Sequence, residues 1–162
     1  MSLKSVLKKL KGFVRSRSIH VTVVNTGGCN GCDIEILACY TYRYDLEQYG
    51  IYYHNNPRKS DVLIVTGPVT YQWRDKLVKL YHKVPEPKAV VAVGTCACSG
   101  GIFNQRGGRV CGPVREVIPV DAEVPGCPPR PEEIVSAVVD VLPALFRSWE
   151  FRRGGAREAQ EA

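Results

Sequence analysis

No stretch of this chain comes near the ~18 consecutive apolar residues that a membrane-spanning helix needs. No such helix is therefore expected. The N-terminus is basic but lacks both a continuous apolar segment and a small-residue cleavage site. No secretory signal is read there, and the cytoplasm is the expected compartment. No GK[ST] follows a glycine-rich loop, and "TGGCNG" has Thr26 where G-x-G-x-x-G needs its first glycine, which argues against a phosphate loop. Acidic residues are missing from positions 1 to 32; the first is Asp33. Lys4, Lys8, Lys9, Lys11, Arg15 and Arg17 therefore account for the whole net charge of +6, and beyond them 16 basic residues balance 16 acidic ones. The pI near 9.0 is a local property, so a nucleic-acid-binding surface spread over the fold is not expected.

What remains is an ordinary globular composition, 44% hydrophobic and 23% charged, over 162 residues. That is about one domain, long enough to bury a core without staples. Seven cysteines are many for such a chain. In a reducing compartment an odd set of thiols points to thiolate–metal chemistry before disulfides.

Residues 2 to 16 place Leu3, Val6, Leu7, Leu10 and Val14 on one helical face, with lysine and arginine opposite. A basic amphipathic helix is expected over 1–18, either packed on its own domain or set against an anionic membrane surface or a membrane-bound partner. An α/β domain is expected over 19–147. "IHVTVVN" (19–25) reads as a strand, followed by a helix over 31 to about 41. "DVLIVTG" (61–67) and "KAVVAVG" (88–94) are unbroken apolar runs, the mark of parallel strands covered on both faces. Between them a helix is expected over 68–84, with Pro68 at its start. Residues 102–116 read as an irregular loop, 117–126 as a last extended segment and 131–147 as a helix. The polar residues 148–162 read as a disordered tail. Strands alternating with helices indicate a doubly wound, mainly parallel α/β sheet of the flavodoxin-like kind, in a single domain.

Ligands of an open α/β sheet bind beyond the carboxyl ends of its strands. The cysteines gather there. Cys29 and Cys32 follow the first strand, Cys96 and Cys98 the third, and Cys127 the last extended segment. Four thiolates suit tetrahedral zinc or an iron–sulfur cluster. Structural zinc commonly uses two close pairs. Here one Cys-x-x-Cys pair is joined by single cysteines 64 and 31 residues further on, which suits a wide cage. Proline after the last cysteine also recurs in cluster-binding runs. A dithiol redox pair would leave Cys96 and Cys127 without a role. Cys96 ranks above Cys98 as a ligand, because "GTC" leaves the strand directly. Cys39 is expected to be a small buried apolar residue, and Cys111 lies in the irregular loop. Glycines around these positions let backbone approach closely. Asp33 and Glu35 open a helix, where carboxylates favour its dipole.

"GCNGCDIEI", "TGPVT", "VGTCACSGG" and "PGCPPRPEEI", in this order, resemble the small, cluster-bearing subunit of nickel–iron hydrogenases. The likeness is to the short version found in membrane-bound, energy-converting hydrogenases, homologous to the cluster-bearing 20-kDa subunit of respiratory complex I. It extends over about residues 19 to 143. It implies one [4Fe–4S] cluster held by Cys29, Cys32, Cys96 and Cys127, and no catalytic residues in this chain. It also implies three kinds of partner: a catalytic large subunit of nickel–iron type, a ferredoxin-like iron–sulfur subunit, and integral membrane subunits that translocate ions. The chain would then be a peripheral subunit on the cytoplasmic side of the membrane. Complex I subunits have adjacent cysteines where this chain has Cys29-Asn30-Gly31-Cys32, which favours the hydrogenase branch. A twin-arginine signal and the further cluster-bearing domain of the uptake enzymes are expected to be absent. A sulfur-reducing membrane complex shares the same motifs. A zinc-stabilised interaction module is the non-redox alternative.

Overall fold

The computed structural model describes residues 18–104 and 108–158. The helix expected over residues 2 to 16 lies outside them. Among the described residues seven strands occur, β1 Ile19–Asn25, β2 Ile51–Tyr53, β3 Val62–Thr66, β4 Val69–Thr70, β5 Ala89–Val93, β6 Val110–Gly112 and β7 Ala122–Val124, with four α-helices, α1 Gly31–Ala38, α2 Tyr71–Lys83, α3 Thr95–Ser99 and α4 Pro131–Glu158. Five strands form one sheet in the order β2-β1-β3-β5-β7, every pair parallel. With the β4–β6 ribbon set aside, this is the doubly wound flavodoxin-like order, whose switch point lies between β1 and β3. The fold expected from the strand–helix alternation is the fold found.

Period-two alternation divides the core. Val62 and Ile64 of β3, with Val91 and Val93 of β5, face a layer made by α1 and α4 through Ile36, Cys39, Ile134, Val138 and Leu142. Leu63 and Val65, with Val90 and Ala92, face the opposite layer, where Leu77 of α2 and Ala97 and Cys98 of α3 are buried. Burial on both faces explains why β3 and β5 are written as continuous apolar runs.

Several boundaries differ from the sequence reading. The second helix starts at Tyr71, not Pro68, because Val69 and Thr70 pair antiparallel with β6 instead. Thr70 also bonds back to the loop after β1, its N–H donating to the Thr26 carbonyl at 3.3 Å. The supposed irregular loop 102–116 therefore contains a strand. The last extended segment contributes only Ala122–Val124 to the sheet. β2 was not expected; it has three residues, of which only Ile51 is buried. The helix from Pro131 runs on to Glu158, so the tail expected from 148 begins inside it. Arginine, alanine and glutamate in that stretch are good helix formers.

Cys39, just past the end of α1, is buried, and its thiol donates to the Glu35 carbonyl at 3.3 Å. Burial pushes this thiol up from an ordinary 9.0 to about 12. Its folded-state value thus stands above the unfolded one. The folded chain therefore draws stability from the protonated thiol at neutral pH, and loses it as pH rises through 9 toward 12. Denaturant titrations of the metal-free chain across that range are expected to show a steady loss of stability, shallower in Cys39→Ala. Equal slopes would mean that the thiol titrates alike in the folded and unfolded states, with no shift on burial.

Candidate metal centre

Three loops at the carboxyl edge of the sheet carry the thiols. The first leaves β1 at Asn25 and enters α1 at Gly31, with Asn30 in the left-handed region at φ 68°. Asparagine tolerates that conformation better than most residues. The loop is organised by Asn25. Its carboxamide oxygen accepts from Gly27 N–H at 2.9 Å and Gly28 N–H at 2.7 Å. Its NH2 donates to Asn30 Oδ1 at 2.8 Å and Asp33 Oδ2 at 2.5 Å. Asp33 also accepts from the Thr66 hydroxyl at the end of β3, at 2.6 Å. Asp33 thus ties α1 to the neighbouring strand, a tertiary contact in addition to the dipole role expected of it.

The same loop lies hard against the turn after β3. Gly67 sits at φ +76°, and a Cβ there would collide with the backbone nitrogen of Gly28. The buried Thr26 hydroxyl lies 3.0 to 3.3 Å from the carbonyls of Thr66, Gly67 and Pro68. These contacts seat the Cys29–Cys32 loop on the switch point of the sheet.

The other two loops are joined to each other. Gly94 ends β5 and its N–H donates to the Val124 carbonyl at 2.8 Å. Thr95 N–H donates to the Gly126 carbonyl at 2.7 Å, and Thr95 Oγ1 accepts from Gly126 N–H at 3.2 Å. Cys96 and Cys127 are the next residues on either side, so this double tie sets one relative to the other.

The four thiols are close enough to feel one another. Cys32 is pushed up to about 11, first by burial and then by Cys29, Asp33, Cys96 and Cys127. Cys96 is also raised, by burial first and then by Cys127 and Cys29. Cys29 and Cys127 are exposed, while Cys32 and Cys96 are half-buried. Glycine lines the sulfurs: a Cβ on Gly94 would lie 2.5 Å from Cys32 Sγ, one on Gly101 3.4 Å from Cys96 Sγ, and one on Gly31 3.5 Å from Cys29 Sγ. The donor set and this glycine-lined cradle fit a bulky thiolate-held group. Among the described residues no three His, Cys, Asp or Glu side chains are arranged to hold a metal ion. The thiols thus lie within reach of each other's charge without converging on a single point.

The remaining cysteines face elsewhere. Cys98 is buried in the α2–α3 layer, with its thiol 3.6 Å from the Ala92 carbonyl. Cys111 is half-buried on β6, near Arg74 and Asp75. Asn25 and Thr95 were not singled out from the sequence. The one available signal was an asparagine directly before two glycines, which favours a side-chain-closed turn.

A family profile for the 20-kDa subunit of NADH–ubiquinone oxidoreductase matches residues 29–141. An uncharacterized protein of Methanocaldococcus jannaschii is 66% identical over 143 residues, 88% of this chain and 95% of that one. A probable membrane-bound hydrogenase subunit of Pyrococcus furiosus is 47% identical over 90% of this chain and 86% of its own length. Among solved structures, the membrane-bound sulfane sulfur reductase, an archaeal respiratory membrane complex, has a chain that superposes with a TM-score of 0.65 at 30% identity, covering 87% of this chain and 76% of that one.

Proposed function

The chain belongs to the family of the 20-kDa subunit of NADH–ubiquinone oxidoreductase, and on that premise we propose that it is an electron-transfer subunit holding one [4Fe–4S] cluster on Cys29, Cys32, Cys96 and Cys127. The observation that carries this reading is the gathering of four thiols from three loops at one sheet edge, where the others' charge adds to burial in raising Cys32 and Cys96. When bound, the cluster supplies one-electron acceptance and release. The chain's own residues would hold and shield it: half-buried Cys32 and Cys96 would be its ligands on the protein side, and exposed Cys29 and Cys127 its ligands on the side a partner can reach. Exposed apolar residues stand on the same helix and turn as the ligands. Ile34 and Leu37 follow Cys32 on α1, and Ile102 and Phe103 follow Cys96. Side chains of this kind would exclude water where a partner docks.

The complex is proposed to be a membrane-bound hydrogenase. There the subunit would pass electrons from a ferredoxin-like subunit to a large subunit of nickel–iron type, in H2 evolution coupled to ion translocation on the cytoplasmic side. Identity to the Pyrococcus furiosus subunit supports this. Among the described residues no helix is long and apolar enough to cross a membrane, which is compatible with a peripheral place held by membrane subunits. The likeness to the sulfane sulfur reductase supports a second reading, the same relay in a sulfur-reducing complex. The partner decides between them: a large subunit with two Cys-x-x-Cys pairs supports nickel–iron chemistry, and one lacking a pair points to sulfur or quinone.

Iron, acid-labile sulfide and EPR of the dithionite-reduced protein test the relay itself. About four irons and four sulfides per chain, with the signal of a reduced cubane, are expected. A colourless chain with one zinc would overturn the reading in favour of a zinc-stabilised interaction module.

A further inference from the structure

We propose that Asn25 is the positioning residue of the Cys29–Cys32 pair, holding both thiols in their binding geometry through the backbone between them. This rests on the cluster reading above and adds a residue that binds nothing itself. A carboxamide has two N–H donors and an oxygen with two lone pairs. Asn25 uses all four, and all four partners lie within residues 27 to 33. The oxygen closes the turn before Cys29 on Gly27 and Gly28. The NH2 reaches past Cys29 to Asn30, and past Cys32 to Asp33. Each cysteine is thereby bracketed by residues tied to the same side chain, Gly27 and Gly28 through their backbone and Asn30 and Asp33 through their side chains.

Two features make this bracket specific. Asn30 stands between the thiols at φ 68°, a conformation open to few residues, and its side-chain oxygen is held by Asn25. Asp33 is anchored in turn by the Thr66 hydroxyl, so the chain of bonds ends on the central strand β3. The position of the two sulfurs is thus referred to the sheet and not to a free loop. Outer-shell hydrogen bonds of this kind orient ligands, and losing one commonly costs roughly 10–100-fold in affinity.

The test uses the complex purified with its cluster. Asn25→Ala is expected to keep the cluster but to release iron to a chelator on the order of 10–100-fold faster. The EPR line of the reduced cluster should broaden or shift as well. Asn25→Asp keeps the two accepted bonds but loses both donated ones, and should be at least as impaired. Adding Asp33→Asn to Asn25→Asp exchanges donor and acceptor, and should restore much of the parent release rate. Asn56→Ala removes a comparable turn bond, to Arg58 N–H outside the cysteine loops, and should leave release and EPR unchanged. Parent-like release in Asn25→Ala, or a double variant no better than Asn25→Asp, would overturn the assignment. A parent complex without iron and sulfide would instead refute the cluster reading itself.

Discussion

Replacing Cys32 with alanine is expected to abolish the cluster, whereas Cys98→Ala should leave it whole. The two thiols make a stringent pair, because each follows a strand end and the sequence separates them only by context. Cys32 lies among the other three site thiols and carries their electrostatic influence. Cys98, two residues beyond Cys96, turns through the short α3 into the opposite layer of the core. Its value is raised to about 11 by burial first and then by Glu123, with Cys96 the last of the causes. Removing the Cys32 sulfur would take away one of the four corners of the proposed cage. Removing the Cys98 sulfur deletes one buried apolar atom and should lower folding stability by about 1 kcal/mol. Iron per chain and the EPR signal of the reduced protein read the first effect, and urea denaturation reads the second. Equal loss of iron from both variants would refute the ligand set.

Gly94→Ala should be among the most damaging substitutions of a residue that holds no ligand atom. Gly94 is buried at φ +96° and ψ 149°, a region essentially reserved for glycine, which costs any other residue about 1–3 kcal/mol. The added methyl would also lie 2.5 Å from Cys32 Sγ. The backbone has little freedom to retreat, since Gly94 N–H is tied to β7 through the Val124 carbonyl. Forced overpacking adds about 1–3 kcal/mol. Set against a typical stability of about 5–15 kcal/mol, the combined effect is large. The collision also falls on the sulfur of a proposed ligand, so iron content should drop even where the chain still folds. Chemical denaturation of the metal-free chain and iron analysis after reconstitution check both consequences. A variant with parental stability and a full complement of iron would show that the β5–α3 turn can relax.

Local chemistry explains which features were readable in advance. β1, β3 and β5 could be recognised because central parallel strands must be apolar on both faces. β2 could not, since a three-residue edge strand with Tyr52 and Tyr53 exposed has no period to detect. Pro68 misled because proline at a helix start is a common arrangement. The preference was overridden by pairing between β4 and β6, a contact 40 residues away in the chain. The site divides in the same way. Cysteines directly after strands announce themselves, because the topology sends every such loop to one edge. The bond from Thr66 to Asp33 and the reach of Asn25 across its own loop depend on how strands stack, and no spacing rule encodes that.

The parallel order of the sheet also governs when the site can come into being. Cys127 follows β7, which pairs only with β5, and residues 94 and 95 gain their partners only when residues 124 to 126 are in place. In the proposed site the fourth corner therefore follows the last strand of the sheet. Iron and sulfide delivered before that strand docks would meet at most Cys29, Cys32 and Cys96, on a sheet still lacking an edge. If the proposed cluster is held there, its assembly would have to wait for the sheet to be completed.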